Sequence, residues 1–185
     1  MIEEIIKATE EKMGKTVISL SREFTTIRTG RASAAMLERI NVNYYGAQTP
    51  ITQLASVKTP EAHMLVVEPW DKQIVNDVVK ALQASDLGIT PSNDGGVIRL
   101  PFPPPTEERR RELVKQCRHY AEETKIAIRN ERRDANSKLD RMVKDSEASK
   151  DEVHRAEERI QKITDKHIEE VDEVLKRKEA EVMEV

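Results

Sequence analysis

Charge is spread unevenly along the 185 residues: the 75 positions from 31 to 105 hold 13 charged side chains, whereas the other 110 hold 52. A chain whose composition changes twice this sharply is built from two materials. The low-charge stretch also holds all 8 prolines, most of the glycines and 4 of the 6 aromatic residues, which is the vocabulary of strands and turns. Because the two flanks resemble each other and not the middle, the sequence predicts an α+β protein. One helical domain, residues 1–30 and 106–185, is interrupted by a small β/α/β domain inserted at 31–105.

The helical flanks carry three apolar stripes at a spacing near 3.6. The first runs through Ile2, Ile6, Thr9, Met13, Val17, Leu20, Phe24 and Ile27, with Gly30 as its expected stop. The second begins after Thr106, which is placed to cap it, and runs to about Lys144 through Leu113, Cys117, Tyr120, Ala121, Thr124, Ile128, Ala135, Leu139 and Met142. The third starts near Ser149 and carries Val153, Ala156, Ile160, Ile163, His167, Ile168, Val171, Val174, Leu175 and Val182. No helix of this kind can bury its stripe alone, so a long antiparallel three-helix bundle follows.

In the middle, strands are expected at 40–45, 51–57, 64–67 and 97–100, a turn at 46–50, a helix at 71–84 and a tight turn at 93–96. The chain crosses between the domains twice, near 29–31 and at 103–105. Two short crossings permit rotation about a hinge and restrain separation.

The patterns that carry chemistry are missing. His63, His119, His154 and His167 contain no pair three or four residues apart, so metal catalysis has little support. Cys117, the only cysteine, lies on an apolar face where a structural role is expected, and it fits a reducing cytosol. Neither a Walker-type phosphate loop nor a dinucleotide-binding glycine pattern occurs, so the chain is not expected to hydrolyse nucleotide itself or to hold a cofactor. No catalytic residue and no metal ligand is assigned. No run of residues is long and apolar enough to span a membrane, and the first residues lack the features of a secretion signal; the cytoplasm is the expected location.

Charge placement on the second long helix stands out. Residues 106–144 carry 12 Lys/Arg against 8 Asp/Glu, and residues 145–185 carry 8 against 14, so a basic helix lies next to an acidic one. On a helical wheel Arg111, Lys115, Arg118, Lys125, Arg129 and Arg133 form a stripe away from the apolar face, flanked by Arg132 and interrupted by Glu122. Such a surface binds polyanions, because each phosphate it neutralises releases condensed counterions. Three arginines within 129–133 exceed what Glu131 and Asp134 can neutralise, and the guanidinium forks onto phosphate oxygens. Phe24 and Tyr120 are the only aromatics of the flanks and both fall on apolar stripes, so an RNA partner would be held by its backbone and shape rather than by stacking.

Several motifs follow one another in a recognisable order: Ile27-Arg28-Thr29-Gly30-Arg31; Tyr44-Tyr45-Gly46 with Thr49-Pro50; Gln53-Leu54-Ala55-Ser56; Ala84-Ser85-Asp86-Leu87-Gly88; Thr106-Glu107-Glu108-Arg109-Arg110; and Arg129, Asn130, Arg132 and Arg133. Through them the chain resembles the bacterial ribosome recycling factor family from end to end. The resemblance implies a roughly L-shaped, tRNA-like monomer whose bundle lies on the 23S-type rRNA of the large ribosomal subunit. It implies that elongation factor G pushes on the inserted domain, and that GTP hydrolysis by that factor splits the post-termination ribosome and frees it from mRNA. Arg129, Arg132 and Arg133 would then contact rRNA, and so would Lys125 and Arg118 farther along the stripe. Arg28, Thr29, Gly30, Arg31, Pro103, Pro104 and Pro105 would serve or flank the hinge. Glu131 stands where the family is usually apolar, and Pro105 where it usually has leucine. The competing readings are a hibernation or assembly factor using the same basic face and, more remotely, a hydrolase with its site in the inserted domain.

Overall fold

The computed structural model describes residues 1–184. Contacts divide the chain into two compact units, residues 1–28 with 107–184, and residues 29–106. The first unit consists of α1 (Ile2–Thr26), α3 (Glu107–Lys144) and α4 (Lys150–Met183). At 1.5 Å per residue the longest, α3, extends about 57 Å.

Buried positions follow the expected stripes, Ile6, Thr9, Met13, Val17, Leu20 and Phe24 on α1 and Leu113, Cys117, Ala121, Ile128, Ala135, Leu139 and Met142 on α3. They gather into two apolar clusters. Ile6 packs with Leu139, Met142 and Val153 at one end, and Phe24 and Ile27 with Leu113, Cys117 and Val182 towards the other. α1 therefore runs antiparallel to α3 and parallel to α4. Polar groups punctuate the middle of the bundle. Thr9 and Thr164 donate to the carbonyls of Ile5 and Ile160, both at 2.7 Å, and the buried ring of His167 bonds the Ile163 carbonyl at 2.7 Å. Gly14 of α1 faces that ring: a Cβ on it would lie 3.8 Å from His167 Nε2. Thr16 of α1 donates to Glu131 Oε1 of α3 at 2.7 Å.

Gly30 does not end the first helix. α1 stops at Thr26, and Ile27 is already extended at φ −78°, ψ 113°. The β-branched run Thr25-Thr26-Ile27 weakens the last turn, the two threonine hydroxyls bond back to the Arg22 and Glu23 carbonyls at 2.6 Å, and Ile27 leaves the helix to fill the core. At the other turn, α4 opens with a capping box in which Ser149 accepts from the Glu152 amide at 3.2 Å and donates its own amide to the Glu152 carboxylate at 2.9 Å. Those bonds hold the Glu152 carboxyl below its ordinary value.

The second unit contains a two-stranded ribbon, β1 (Asn41–Tyr44) with β2 (Ala47–Pro50), and a four-stranded antiparallel sheet. The order in that sheet is β3 (Ala55–Glu61), β4 (Met64–Pro69), β6 (Val97–Pro101) and β5 (Ser92–Asp94). β4 is central and buries Leu65, Val66 and Val67 in succession. β3 is an edge strand whose register shifts between Lys58 and Glu61, around Pro60, which has no amide to give a ladder. α2 (Val75–Ala84), preceded by a 3-10 turn at Lys72–Ile74, lays Val75, Val78 and Leu82 into a core shared with Leu37, Val42, Ile51, Leu65, Ile98 and Leu100.

Several segments differ from the sequence reading: Ile51–Gln53, expected to open a strand, form a 3-10 turn, so β3 starts at Ala55, and Ser92–Asp94 add an edge strand ahead of the tight turn. Of the expected turn at 46–50, Ala47–Pro50 form a strand: Tyr45 and Gly46, at φ 48° and 86°, make the two-residue reversal themselves, and Asn41 pairs with Pro50. A further 3-10 turn, Ala34–Leu37, is capped by Ser33 and buries Leu37.

Candidate nucleic-acid interface

The arginine cluster sits on α3 where Ile128 and Ala135 face the core. The 3.6-residue repeat sends the intervening side chains in three directions. Glu131 turns towards α1 and Thr16, which takes one of the two acids beside the cluster off the outer face. Arg132 leans towards α4 and donates to Gln161 Oε1 at 2.9 Å, a neutral partner that leaves its charge uncompensated. Arg129 and Arg133 point outward. Arg129 is 3.4 Å from Glu122, a long, solvent-exposed contact that contributes little. Arg133 is exposed and has no hydrogen bond or ion pair among the described residues.

Of the remaining basic residues of the stripe, Arg111, Arg118 and Lys125 are engaged. Arg118 donates through Nε to Glu179 at 2.7 Å, and Lys125 meets Asp172 at 2.5 Å with its side chain four-fifths buried. Both acids belong to α4, so these cations hold the basic helix to the acidic one. The Arg118 guanidinium is pushed further up by its hydrogen bond to Glu179. Arg111 pairs with Glu107 at 2.6 Å within α3, and Lys115 is exposed. Positive charge available to a ligand is thus clustered at Arg129, Arg132 and Arg133, with Lys115 as an isolated exposed cation nearer the start of α3.

Glu131 carries a local defect. One carboxylate oxygen accepts from Thr16, while Oε2 is buried without a partner. Since Thr16 Oγ1 also lies 3.1 Å from the Lys12 carbonyl, its hydroxyl keeps an acceptor if the acid is removed. Glu131→Leu is therefore expected to stabilise the bundle by roughly 1 kcal/mol, measured by urea unfolding; a variant less stable than the wild type would mean that the Thr16 bond outweighs the unpaired oxygen.

Chemistry elsewhere is sparse. Burial pushes the Cys117 thiol above its ordinary value, which disfavours the nucleophilic thiolate. His119 and His154 each face a glutamate four residues on, Glu123 and Glu158, on exposed helix surface. Among the described residues no group of three or more His, Cys, Asp and Glu side chains could hold a metal ion, and no helix is long and apolar enough to cross a membrane.

Tyr45, part of the Tyr44-Tyr45-Gly46 motif, and Trp70 are exposed on the inserted unit, an exposure that the sequence pattern does not signal. The Tyr45 hydroxyl lies 3.4 Å from Asp71, whose negative charge pushes the phenol up.

Of the crossing residues, Arg28 closes the bundle unit; Thr29, Gly30, Arg31, Pro103, Pro104 and Pro105 belong to the inserted one. Gly30 has φ 77°, and a Cβ on it would lie 2.7 Å from Pro105 Cδ. The left-handed backbone and the proline ring both exclude a side chain. Gly30→Val is expected to destabilise the inserted unit by about 1 to 3 kcal/mol, seen as an earlier loss of the Ala32 amide from exchange protection; unchanged protection would show that the connector can relax around the branched side chain.

Fold and surface together define a bundle of three long helices that carries an inserted α+β unit and displays uncompensated arginine charge on one helix. The chain belongs to the ribosome recycling factor family, whose model matches residues 20–183. It is 53% identical to the ribosome-recycling factor of Geobacillus thermodenitrificans and 54% identical to that of Heliobacterium modesticaldum, over 185 residues and the whole of each chain. Among solved structures, the solution structure of a ribosome recycling factor aligns with a TM-score of 0.72 at 41% identity, covering 100% of this chain and 98% of the other. A second comes from models for the T. thermophilus ribosome recycling factor and the E. coli elongation factor G bound to the E. coli post-termination complex; it aligns with a TM-score of 0.61 at 42% identity over all of both chains.

Proposed function

We propose that this chain binds the large ribosomal subunit after termination and, with elongation factor G and GTP, separates the subunits and releases the ribosome from mRNA. The observation that carries this reading is the full-length match of both units to ribosome-recycling factors. The bundle supplies the grip on RNA. Arg129, Arg132 and Arg133 approach backbone phosphates of the 23S-type rRNA, whose oxygens accept the forked guanidinium donors. Arg118 and Lys125 support that face by holding α3 to α4. The inserted unit receives the push of the GTPase, and the connectors at 28–31 and 103–105 carry the motion between units.

On this reading the chain is a cytoplasmic monomer and a force-transmitting translation factor, with no reaction of its own to catalyse. Post-termination ribosomes mixed with the protein, elongation factor G and GTP should dissociate into subunits, followed by light scattering. Intact ribosomes under those conditions, together with binding to idle ribosomes, would instead support a hibernation role.

A further inference from the structure

The turn between β3 and β4 bonds to the outgoing connector and to the residues that flank both connectors on the side of the inserted unit. Its Ala62 carbonyl accepts the Ala32 amide at 2.7 Å, and its His63 carbonyl accepts the Phe102 amide at 2.7 Å. The half-buried His63 side chain adds a third bond, from Nδ1 to the Gly30 carbonyl at 2.8 Å. A carbonyl only accepts, so Nδ1 carries the proton, and the buried Nε2 is left without a partner. One imidazole therefore joins the outgoing connector at Gly30 to the strand turn that also holds Phe102, the residue from which the returning connector leaves. Gly30 itself lies against Pro105, so the two connectors are also packed on each other. Pro103, Pro104 and Pro105 add fixed φ angles to the return path.

A segment fastened at this many points does not supply a free torsion. We infer that His63 is a positioning residue that fastens the connectors to the inserted unit, so that the units swing about bonds outside the fastening, next to Arg28 and Thr106, and not about Gly30. The flexible glycine of the crossing is on this view a packing point, and the partner's push on the inserted unit reaches the bundle without being absorbed at 30–32. This inference rests on the proposal that the two units articulate.

Residual dipolar couplings of the weakly aligned full-length protein test it. In the wild type the amide couplings of Gly30, Arg31, Ala32 and Phe102 are expected to fit the alignment tensor of the inserted sheet, with the bundle fitting a different one. In His63→Ala the couplings of Gly30 and Arg31 should shrink to about half, and Ala32 exchange should quicken by about tenfold, as local opening becomes easier. Strand couplings should stay as they were. His63→Gln, whose amide can donate to the same carbonyl, should restore them. In the ribosome assay His63→Ala should split ribosomes several-fold more slowly, roughly in proportion to the lost coupling between units, while its affinity for large subunits is unchanged. Wild-type couplings of Gly30 and Arg31 that follow the bundle, or a His63→Ala variant with unaltered couplings, would overturn the assignment. A single tensor fitting both units of the wild type at full magnitude would overturn the articulation beneath it, a result that the other two do not produce.

Discussion

Exchanging Arg129, Arg132 and Arg133 together for glutamine is expected to weaken binding to isolated large ribosomal subunits by roughly 10- to 100-fold at moderate salt. Stability should change by no more than about 0.5 kcal/mol per site, because none of the three makes a buried pair. The log-log dependence of affinity on salt should become shallower by up to about 0.7 to 0.9 for each phosphate contact removed, with duplex and single-strand values as guides for folded RNA. Arg118→Gln with Lys125→Gln supplies the contrast. Those two cations bond Glu179 and Asp172, so their loss should lower bundle stability, by up to about 1 kcal/mol each, and leave the salt dependence nearly unchanged. A triple variant with wild-type affinity and slope would remove the RNA contact from this face.

The second large effect is expected from replacing residues 31–105 by a short glycine linker. The buried clusters of the bundle draw only on α1, Ile27, α3 and α4, and that of the inserted unit only on residues from Ala32 to Leu100. The shortened chain should therefore keep a cooperative helical melt and its affinity for large subunits. Subunit splitting by elongation factor G and GTP should be abolished, since the part that receives the push is gone. A product without a cooperative transition would mean that the bundle needs the insertion in order to fold.

Periodicity made the bundle legible, because three stripes of about seven turns or more average out individual exceptions. The exceptions are instructive. Lys178 is buried on α4 although no apolar rule predicts it; its long aliphatic stem lies in the stripe while Nζ reaches Glu181 at 3.5 Å. Thr164 is buried too, and hides its polarity by bonding its own helix. The end of α1 was misplaced because Gly30 is a stronger local signal than the β-branched run before it. β2 was missed because Gln48, Thr49 and Pro50 look like a turn, yet a two-stranded ribbon needs few amides from its edges.

At the candidate site the wheel found the arginines but not their partners. It measures the angle from a helix's own apolar face and is silent on where the neighbouring helix lies. Arg118 and Lys125 fall on the flank that meets α4, a distinction that only the packed structure makes. Likewise His63 reads in the sequence as a lone histidine, and its role at the connectors follows from the strand pairing that carries the turn to them.

The polar groups in the middle of the bundle bear on alignment. Three apolar stripes with the same repeat could slide past one another by a turn and still bury hydrocarbon. Only one alignment sets Thr16 against Glu131 and Gly14 against His167. A slipped rod would press a carboxylate or an imidazole onto aliphatic side chains, at a penalty of several kcal/mol. These groups therefore act as index marks along a rod whose repeat is otherwise ambiguous, and they fix where the end of α1 stands relative to the start of α3, the two points from which the connectors leave.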